Sequence, residues 1–240
     1  MITSVSNETI KSLKKLIKQR DIICLDNPKL ITEALKNNWQ ILAVLKTNNI
    51  FYTEHDILVS ENVLRYFSNV VTSQGVVAIV RLKIYDLKPP NNNFLVLDNV
   101  QDPGNVGTLI RSAVGANFLD IFLINCASIS LDKTVRSTMG ALFKCRFYEV
   151  KEDFIKILKN WNMTLIVADM DGDSVFEYEN KSPVGLIVGN EGHGVGESLK
   201  KIANKFVKIP MQNGLESLNA GVSGSIIMYQ LTYGGKNVRS

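Results

Sequence analysis

Four short apolar runs in the C-terminal two thirds of the chain constrain its fold more than any other feature. They are Phe94–Leu97, Ile121–Ile124, Thr164–Ala168 and Gly185–Val188. Each is apolar at successive positions, which is typical of parallel strands covered by helices on both faces. Helix-like segments lie between most of them, at 105–117, 133–142 and 153–161. The alternation predicts an α/β domain built on a parallel sheet with helices on both sides.

The first third of the chain carries enough apolar residues for a small α/β unit of its own. Strands are predicted at Ile22–Leu25, Ile41–Leu45 and Val76–Leu82, and helices near Leu30–Asn37 and Glu61–Phe67. The segment LKPPNNN, residues 87–93, continues neither a helix nor a central strand. We therefore predict a domain over 1–86, a linker over 87–93 and a second domain over 94–240.

Composition narrows the class of protein. Of the 240 residues 45% are apolar and 21% charged, as in ordinary globular proteins. The three cysteines are widely spaced and odd in number, so they predict neither a disulfide framework nor a metal site and favour a reducing compartment. The N-terminus is too polar for a secretion signal, and no apolar run reaches membrane-spanning length. We expect a cytoplasmic protein that needs no metal.

The basic charge is concentrated at the N-terminus, where the first twenty residues include five basic residues and only one acidic residue, a glutamate. A helix from about Glu8 to Arg20 would place an apolar stripe on one face and four lysines on another. Those lysines are Lys11, Lys14, Lys15 and Lys18. Two interpretations stay open: a solvated surface helix, or a helix that faces nucleic-acid phosphates.

Three polar, glycine-containing segments follow predicted strands, where open parallel sheets bind ligands. The first, residues 97–117, has a turn at Asp102-Pro103-Gly104, and we expect Asn105 to cap the helix that follows. The second, residues 185–199, has five glycines in twelve positions and one carboxylate before the next helix, Glu191. That carboxylate serves either as a helix cap or in catalysis.

The third segment, residues 208–231, joins a short strand to the last helix of the chain. We expect Ser217 to cap this helix. Its first turns contain almost only small residues, including two glycines, each of which costs about 1 kcal/mol relative to alanine in a helix interior. Close approach of another backbone or of a ligand would explain them.

Taken together and in this order, the three segments resemble the SpoU (TrmH-type) RNA ribose 2′-O-methyltransferases of the SPOUT group. The motifs are Asn105-x-Gly107-x-x-x-Arg111, Gly189-Asn190-Glu191-Gly192-x-Gly194, and Ile209-Pro210-Met211 followed by Glu216-Ser217-Leu218-Asn219. The resemblance covers about residues 94–240, including KTVRSTMGALF at 133–143. The N-terminal part looks like the small RNA-binding α/β domain often fused to these enzymes.

The resemblance implies a C-terminal SPOUT domain with a deep trefoil knot, and a homodimer formed through that catalytic domain. It implies S-adenosylmethionine as cofactor, held largely by backbone groups of Gly189, Ile209 and Leu218. Met211, Asn190 and Gly194 complete the expected cofactor site. RNA contacts are expected at Lys11, Lys14, Lys15, Lys18 and Arg136.

The family's motif places its catalytic arginine at Arg111. Because arginine stays protonated, a plain general-base role is awkward, and we prefer a clamp that holds a phosphate and stabilises the developing alkoxide. That phosphate, or Glu191 through water, would accept the proton. Asn105 would orient Arg111, while Ser217 and Asn219 would shape the ribose pocket.

The sequence departs from the family pattern at two places and leaves other functions open. Ala220-Gly221 replaces the usual Val-Ser. Asp26-Asn27 replaces a common Glu-Gly, and this second departure bears more on substrate choice than on chemistry. One alternative is a catalytically silent RNA-binding protein of the same fold. Another is a knotted methyltransferase that acts on a base nitrogen. Ribosomal and transfer RNA are equally open as targets.

Overall fold

The computed structural model describes residues 1–68, 73–151, 153–179 and 183–234. The chain divides into two compact units, Met1–Lys83 with Ser130–Val135, and Ile84–Ile129 with Arg136–Ser240. Residues 87–93 carry neither helix nor strand. The domain bounds 1–86 and 94–240 stay a prediction, and residues 235–240 of the second lie outside the described part of the chain.

The first unit is a four-stranded sheet with three helices. Its helices are α1 (Glu8–Leu16), α2 (Pro28–Lys36) and α3 (Glu61–Arg65), and its strands are β1 (Ile22–Leu25), β2 (Ile41–Lys46), β3 (Asp56–Leu58) and β4 (Val76–Arg81). In the order β1-β4-β2-β3, β4 is antiparallel to both neighbours and β3 is parallel to β2. Strand β3 was not predicted.

The helices of the first unit show one difference from the prediction and explain one departure from the family pattern. Helix α1 ends at Leu16 rather than Arg20, so Lys18 lies beyond it. The departure at Asp26-Asn27 has a local role, because the Asn27 side chain accepts a hydrogen bond from the Lys29 N–H and caps α2.

The second unit contains a six-stranded sheet in which every pair is parallel, as predicted. The strands are β5 (Phe94–Asp98), β6 (Asp120–Ile124), β7 (Arg146–Val150), β8 (Thr164–Ser174), β9 (Val184–Val188) and β10 (Lys205–Lys208), in the order β10-β8-β9-β5-β6-β7. The helices that follow in the chain are α4 (Pro103–Gly115), α5 (Asp132–Ser137), α6 (Phe154–Asn160), α7 (Glu197–Lys200) and α8 (Ala220–Tyr233). Strand β7 was not predicted.

The prediction of one helix over 133–142 is wrong. Helix α5 ends at Ser137, and the chain then turns through Met139 and Gly140, whose φ angles are +49° and +88°. Left-handed backbone conformations cannot continue a right-handed helix. A short 3₁₀ helix at Ala141–Lys144 follows instead.

Helices cover both faces of the parallel sheet. On one face Phe94, Phe122 and Tyr148 belong to a buried cluster with Phe154 of α6 and Leu199 of α7. Alternate strand residues point the other way, and there α8 contacts β8, β9 and α4. The prediction of helices on both sides is therefore confirmed.

Strand β8 departs from regular pairing with β10. Val167 pairs with Phe206, but the next residue of β10, Val207, pairs with Asp173. Residues 168–172 therefore bulge away from the ladder. Gly172 ends the bulge where a Cβ would lie 2.5 Å from the Phe206 carbonyl carbon, so only glycine fits.

Candidate functional site

The first two loops meet because β5 and β9, the strands before them, are neighbours at the point where the strand order reverses. The side chain of Asn190, after β9, donates to the Asn99 carbonyl, after β5, at 2.9 Å. Asp98 Oδ2 accepts the Gly196 N–H at 2.7 Å. Both contacts fix the loops to each other at the carboxyl edge of the sheet.

The start of α4 differs from the prediction that Asn105 caps it. Asp102 is the cap, since its Oδ1 accepts the Asn105 N–H at 2.9 Å, and Pro103 occupies the first helical position. Asn105 is then the third residue of the helix, 8% exposed. Its side-chain Nδ2 donates to Glu191 Oε1 at 2.8 Å. The first motif is thereby tied to the second across 86 positions of sequence.

Glu191 is stabilised as a carboxylate. Partial burial would raise its pKa, but hydrogen bonds from the Asn105 side chain and from nearby backbone N–H groups outweigh that effect and lower it. The carboxylate is therefore ionised at neutral pH and is a weak base.

The glycine-rich loop is a tight backbone turn. Asn190 and Gly194 exchange two backbone hydrogen bonds of 2.9 Å, and the Asn190 Oδ1 accepts the N–H groups of Gly192 and His193. A Cβ on Gly189 would lie 2.2 Å from the Gly194 carbonyl carbon. Gly189 is thus required for this loop to close on itself.

Arg111 lies on α4, two turns after its start. Its side chain is exposed and makes no hydrogen bond or ion pair with any residue that the structure describes. Thr108, one turn earlier on the same face, packs against α8, where its side chain is 3.2 Å from a Cβ built on Gly221. The guanidinium is available to an anionic ligand.

The start of α8 also corrects a prediction. The cap is Asn219 rather than Ser217, since Asn219 Oδ1 accepts the N–H groups of Gly221 and Val222. The small residues allow close packing on α4, because a Cβ on Gly224 would lie 2.4 Å from Leu109 Cδ2 and 3.2 Å from Val188 Cγ2. At Gly221 the fit to Thr108 is also tight, so the serine usual in the family would crowd this site.

The third segment forms one side of a cavity of about 410 Å³. Of the predicted cofactor residues, Ile209, Met211 and Leu218 line it, as does Ser217. Gly189, Asn190 and Gly194 are not among its lining residues and form the separate turn after β9. The volume falls within the range of small-molecule sites.

Several backbone N–H groups around this cavity are unpaired within the described residues. The N–H groups of Met211, Ser217 and Leu218 donate to no acceptor within the described ranges. Unpaired backbone donors beside a cavity can donate hydrogen bonds to a polar ligand.

Sequence reasoning missed the opposite wall of the cavity. It consists of Ala168, Asp169 and Met170, which lie in the β8 bulge. Asp169 Oδ2 pairs with Lys200 Nζ of α7 at 2.7 Å. The only signal was the change from apolar to acidic residues after Ala168, which by itself is typical of a strand end.

The predicted RNA-binding residues lie in different settings. Lys11 and Lys15 are exposed on α1, and Lys18 is exposed beyond it. Lys14 is engaged within the unit, since its Nζ donates to the Tyr66 carbonyl and lies 4.2 Å from the Tyr66 ring centroid. Arg136 lies in the last turn of α5.

Within ranges 1–68, 73–151, 153–179 and 183–234, no three His, Cys, Asp or Glu side chains are grouped to hold a metal ion. Among the helices of the same ranges, none is long and apolar enough to cross a membrane.

Comparison with known proteins agrees with this geometry. Residues 92–229 match the model of the SpoU rRNA Methylase family. A 23S rRNA (guanosine(2553)-2′-O)-methyltransferase, RlmP of Bacillus subtilis, is 27% identical over 251 residues, covering 96% of this chain and 98% of that protein. The crystal structure of an AdoMet-bound rRNA methyltransferase from Sinorhizobium meliloti is 25% identical, with a TM-score of 0.85 over 96% of each chain. A 23S rRNA (uridine(2479)-2′-O)-methyltransferase of Streptomyces viridochromogenes is 32% identical over 169 residues, which cover 65% of this chain and 58% of that protein.

Proposed function

Because the chain belongs to the SpoU rRNA Methylase family, a family of enzymes, we propose that it methylates a ribose 2′-hydroxyl of a structured RNA. S-adenosylmethionine is the methyl donor. Two relatives named above are 2′-O-methyltransferases of ribosomal RNA, which supports the ribose as acceptor. Transfer RNA stays open as a target, since other relatives are named as tRNA/rRNA methyltransferases.

The cavity beside the third segment is the observation that carries this proposal. Its volume, its mostly apolar lining and its unpaired backbone N–H groups fit a nucleoside-sized cofactor. We assign the cofactor to the backbone and side chains of Ile209, Met211 and Leu218. The turn at Gly189, Asn190 and Gly194 then acts by holding the neighbouring loop in shape.

The bound cofactor supplies an electrophilic methyl group, so the protein's task is to orient the ribose oxygen and remove its proton. Arg111, which is exposed and has no partner among the described residues, is assigned to the RNA phosphate and the developing alkoxide. Asn105 holds Glu191 and weakens it as a base. The RNA phosphate, or Glu191 through water, would accept the proton, while Ser217 and Asn219 border the ribose.

We place the dimer interface on the outer face of α8. Val222, Tyr229 and Tyr233 are exposed there, and Phe176 is exposed beside Tyr229 along a shallow groove. Exposed apolar residues grouped on one helix face are typical of protein–protein interfaces. Light scattering should give twice the chain mass, and Tyr229→Asp should lower it to that of one chain.

Family membership supports three further proposals. A trefoil knot formed by the C-terminal segment would require the close helix packing seen at Gly221 and Gly224. The first unit would bind the RNA through phosphate contacts of Lys11, Lys15 and Lys18. Arg136 of the second unit would be a separate phosphate contact. The protein would act in the cytoplasm, where its RNA substrates are.

Replacing Arg111 by alanine tests the mechanism. We expect methyl transfer to fall by at least 100-fold, while the dissociation constant for S-adenosylmethionine changes less than threefold, since this side chain does not line the cavity. Arg111→Lys should recover only part of the rate, because lysine lacks the planar fork. Near-wild-type turnover of Arg111→Ala would dismiss the clamp.

Product analysis separates the alternatives. RNA methylated with a tritiated donor is digested to nucleosides and separated by chromatography. Label in a 2′-O-methylnucleoside supports the proposal, and label in a base-methylated nucleoside identifies the base-nitrogen alternative. A protein that binds RNA but transfers no label to total RNA from a strain lacking the gene would be catalytically silent.

A further inference from the structure

Two carboxylates line the cavity, and they differ in how firmly they are held. Glu216 is exposed and has no hydrogen bond or ion pair within the described residues. Asp169 lies in the β8 bulge, and its side chain is only 16% exposed. Of the two acidic residues that line the cavity, Asp169 is therefore the one whose carboxylate is held in place.

Two hydrogen bonds fix the Asp169 carboxylate, one on each oxygen. Oδ2 accepts from Lys200 Nζ at 2.7 Å, and Oδ1 accepts from the Asp171 N–H at 3.1 Å. Burial would raise the pKa of Asp169, but the Lys200 hydrogen bond leads the interactions that lower it, so the group is ionised. Since a carboxylate has about four acceptor positions, each oxygen keeps one for a ligand.

The charge balance favours a neutral hydroxyl over a cation as that ligand. Lys200 already neutralises most of the Asp169 charge, and a second cation on the same carboxylate would be repelled by the ammonium group. Two acceptors side by side match the two adjacent hydroxyls of a ribose. Sugar-binding carboxylates in other nucleotide sites use the same chemistry.

We propose that Asp169 accepts hydrogen bonds from the ribose hydroxyls of the cofactor, and that Lys200 is a positioning residue that holds it for this purpose. The inference rests on the proposed function, because it takes S-adenosylmethionine as the occupant of the cavity. It assigns the β8 bulge a purpose, which is to bring residue 169 to the cavity wall.

The test compares the binding of S-adenosylhomocysteine with its 2′-deoxy and 3′-deoxy ribose analogues by calorimetry. A hydroxyl bonded to a charged acceptor contributes about 10- to 100-fold to affinity. Wild-type protein should discriminate against at least one analogue by that factor, and Asp169→Asn should reduce the ratio to less than about threefold. Lys200→Met should reduce it partly, because the carboxylate is then less firmly held. Asp173→Asn, an exposed carboxylate on the same strand outside the cavity, should keep the wild-type ratio.

The ratio distinguishes recognition from simple bracing of the bulge. If Asp169→Asn weakens the binding of all three ligands by the same factor, Asp169 has only a structural role and the inference fails. Equal binding of the three ligands by wild-type protein also overturns it, without any variant that must fold. Failure of wild-type protein to bind S-adenosylhomocysteine at all would instead overturn the proposed function, and this inference with it.

Discussion

Replacing Gly189 by alanine should destabilise the second unit by disrupting the turn after β9. A Cβ at this position would lie 2.2 Å from the Gly194 carbonyl carbon and 2.4 Å from the Val195 nitrogen. Ordinary contacts begin near 3.4 Å, so the backbone must move by about 1 Å. Because the obstructing atoms are backbone, no side-chain rotation relieves the clash.

The magnitude follows from the hydrogen bonds that this movement breaks. Asn190 and Gly194 exchange two backbone hydrogen bonds of 2.9 Å, and the Asn190 side chain makes a third to Asn99. At about 1 kcal/mol each, their loss lowers the free energy of unfolding by about 3 kcal/mol. The Tm should fall by about 6–12 °C.

Urea unfolding followed by Trp161 fluorescence measures this effect in the correct unit. Trp161 packs against Phe122 at 5.4 Å between ring centroids, and a Trp39→Phe background removes the other tryptophan. The matched control is Gly192→Ala in the same turn, where the nearest atom to a Cβ is Asn190 Oδ1 at 3.6 Å. It should cost less than about 0.5 kcal/mol. Equal stability of the two variants would refute the reasoning.

Two further substitutions test electrostatic contacts. Asn105→Ala should lower the free energy of unfolding by about 1 kcal/mol at pH 7. This value is small because Glu191 is exposed to solvent. Because the folded-state pKa of Glu191 is lowered, its contribution is complete above the unfolded value near 4.3 and is lost as pH falls through the folded value. The difference in urea unfolding between wild type and variant should therefore narrow below about pH 4, and a constant difference would contradict this. Lys46→Met should lower the free energy of unfolding by about 3 kcal/mol, because it leaves the Asp56 carboxylate without its cation. The Asp56 side chain is only 10% exposed. Lys36→Met at the exposed pair with Glu33 should cost under 1 kcal/mol, and similar costs for the two would disprove the role of burial.

Elements with strong local signals were predictable from sequence. Val184–Val188 is apolar at nearly every position, which is typical of a strand covered on both faces. It lies in the middle of the sheet. Strand β7, which contains the charged residues Arg146 and Glu149, gave no such signal. The predicted strand at Thr164–Ala168 continues to Ser174 because β10 pairs again beyond the bulge.

The helix caps show how local chemistry is ambiguous. Asp102 and Asn105 both suit a cap, but Pro103 at the first helical position identifies Asp102, a signal that the sequence contained. At α8, Ser217 and Asn219 are equally suitable by residue type. There the position of the cap depends on the residue at which the chain enters the helix, and residue type alone does not determine that position.

The sequence by itself determined the parallel sheet, the three loops at its edge and the family to which they point, because apolar periodicity and glycine positions act within a few residues. Tertiary structure alone decided that Asn105 bonds to Glu191 and that Asp169, a residue lining the cavity, pairs with Lys200. Those pairs are distant in sequence and depend on strand order, on the register of β8 with β10 and on helix packing. No short-range propensity encodes them, because each is a property of two segments brought together by the core.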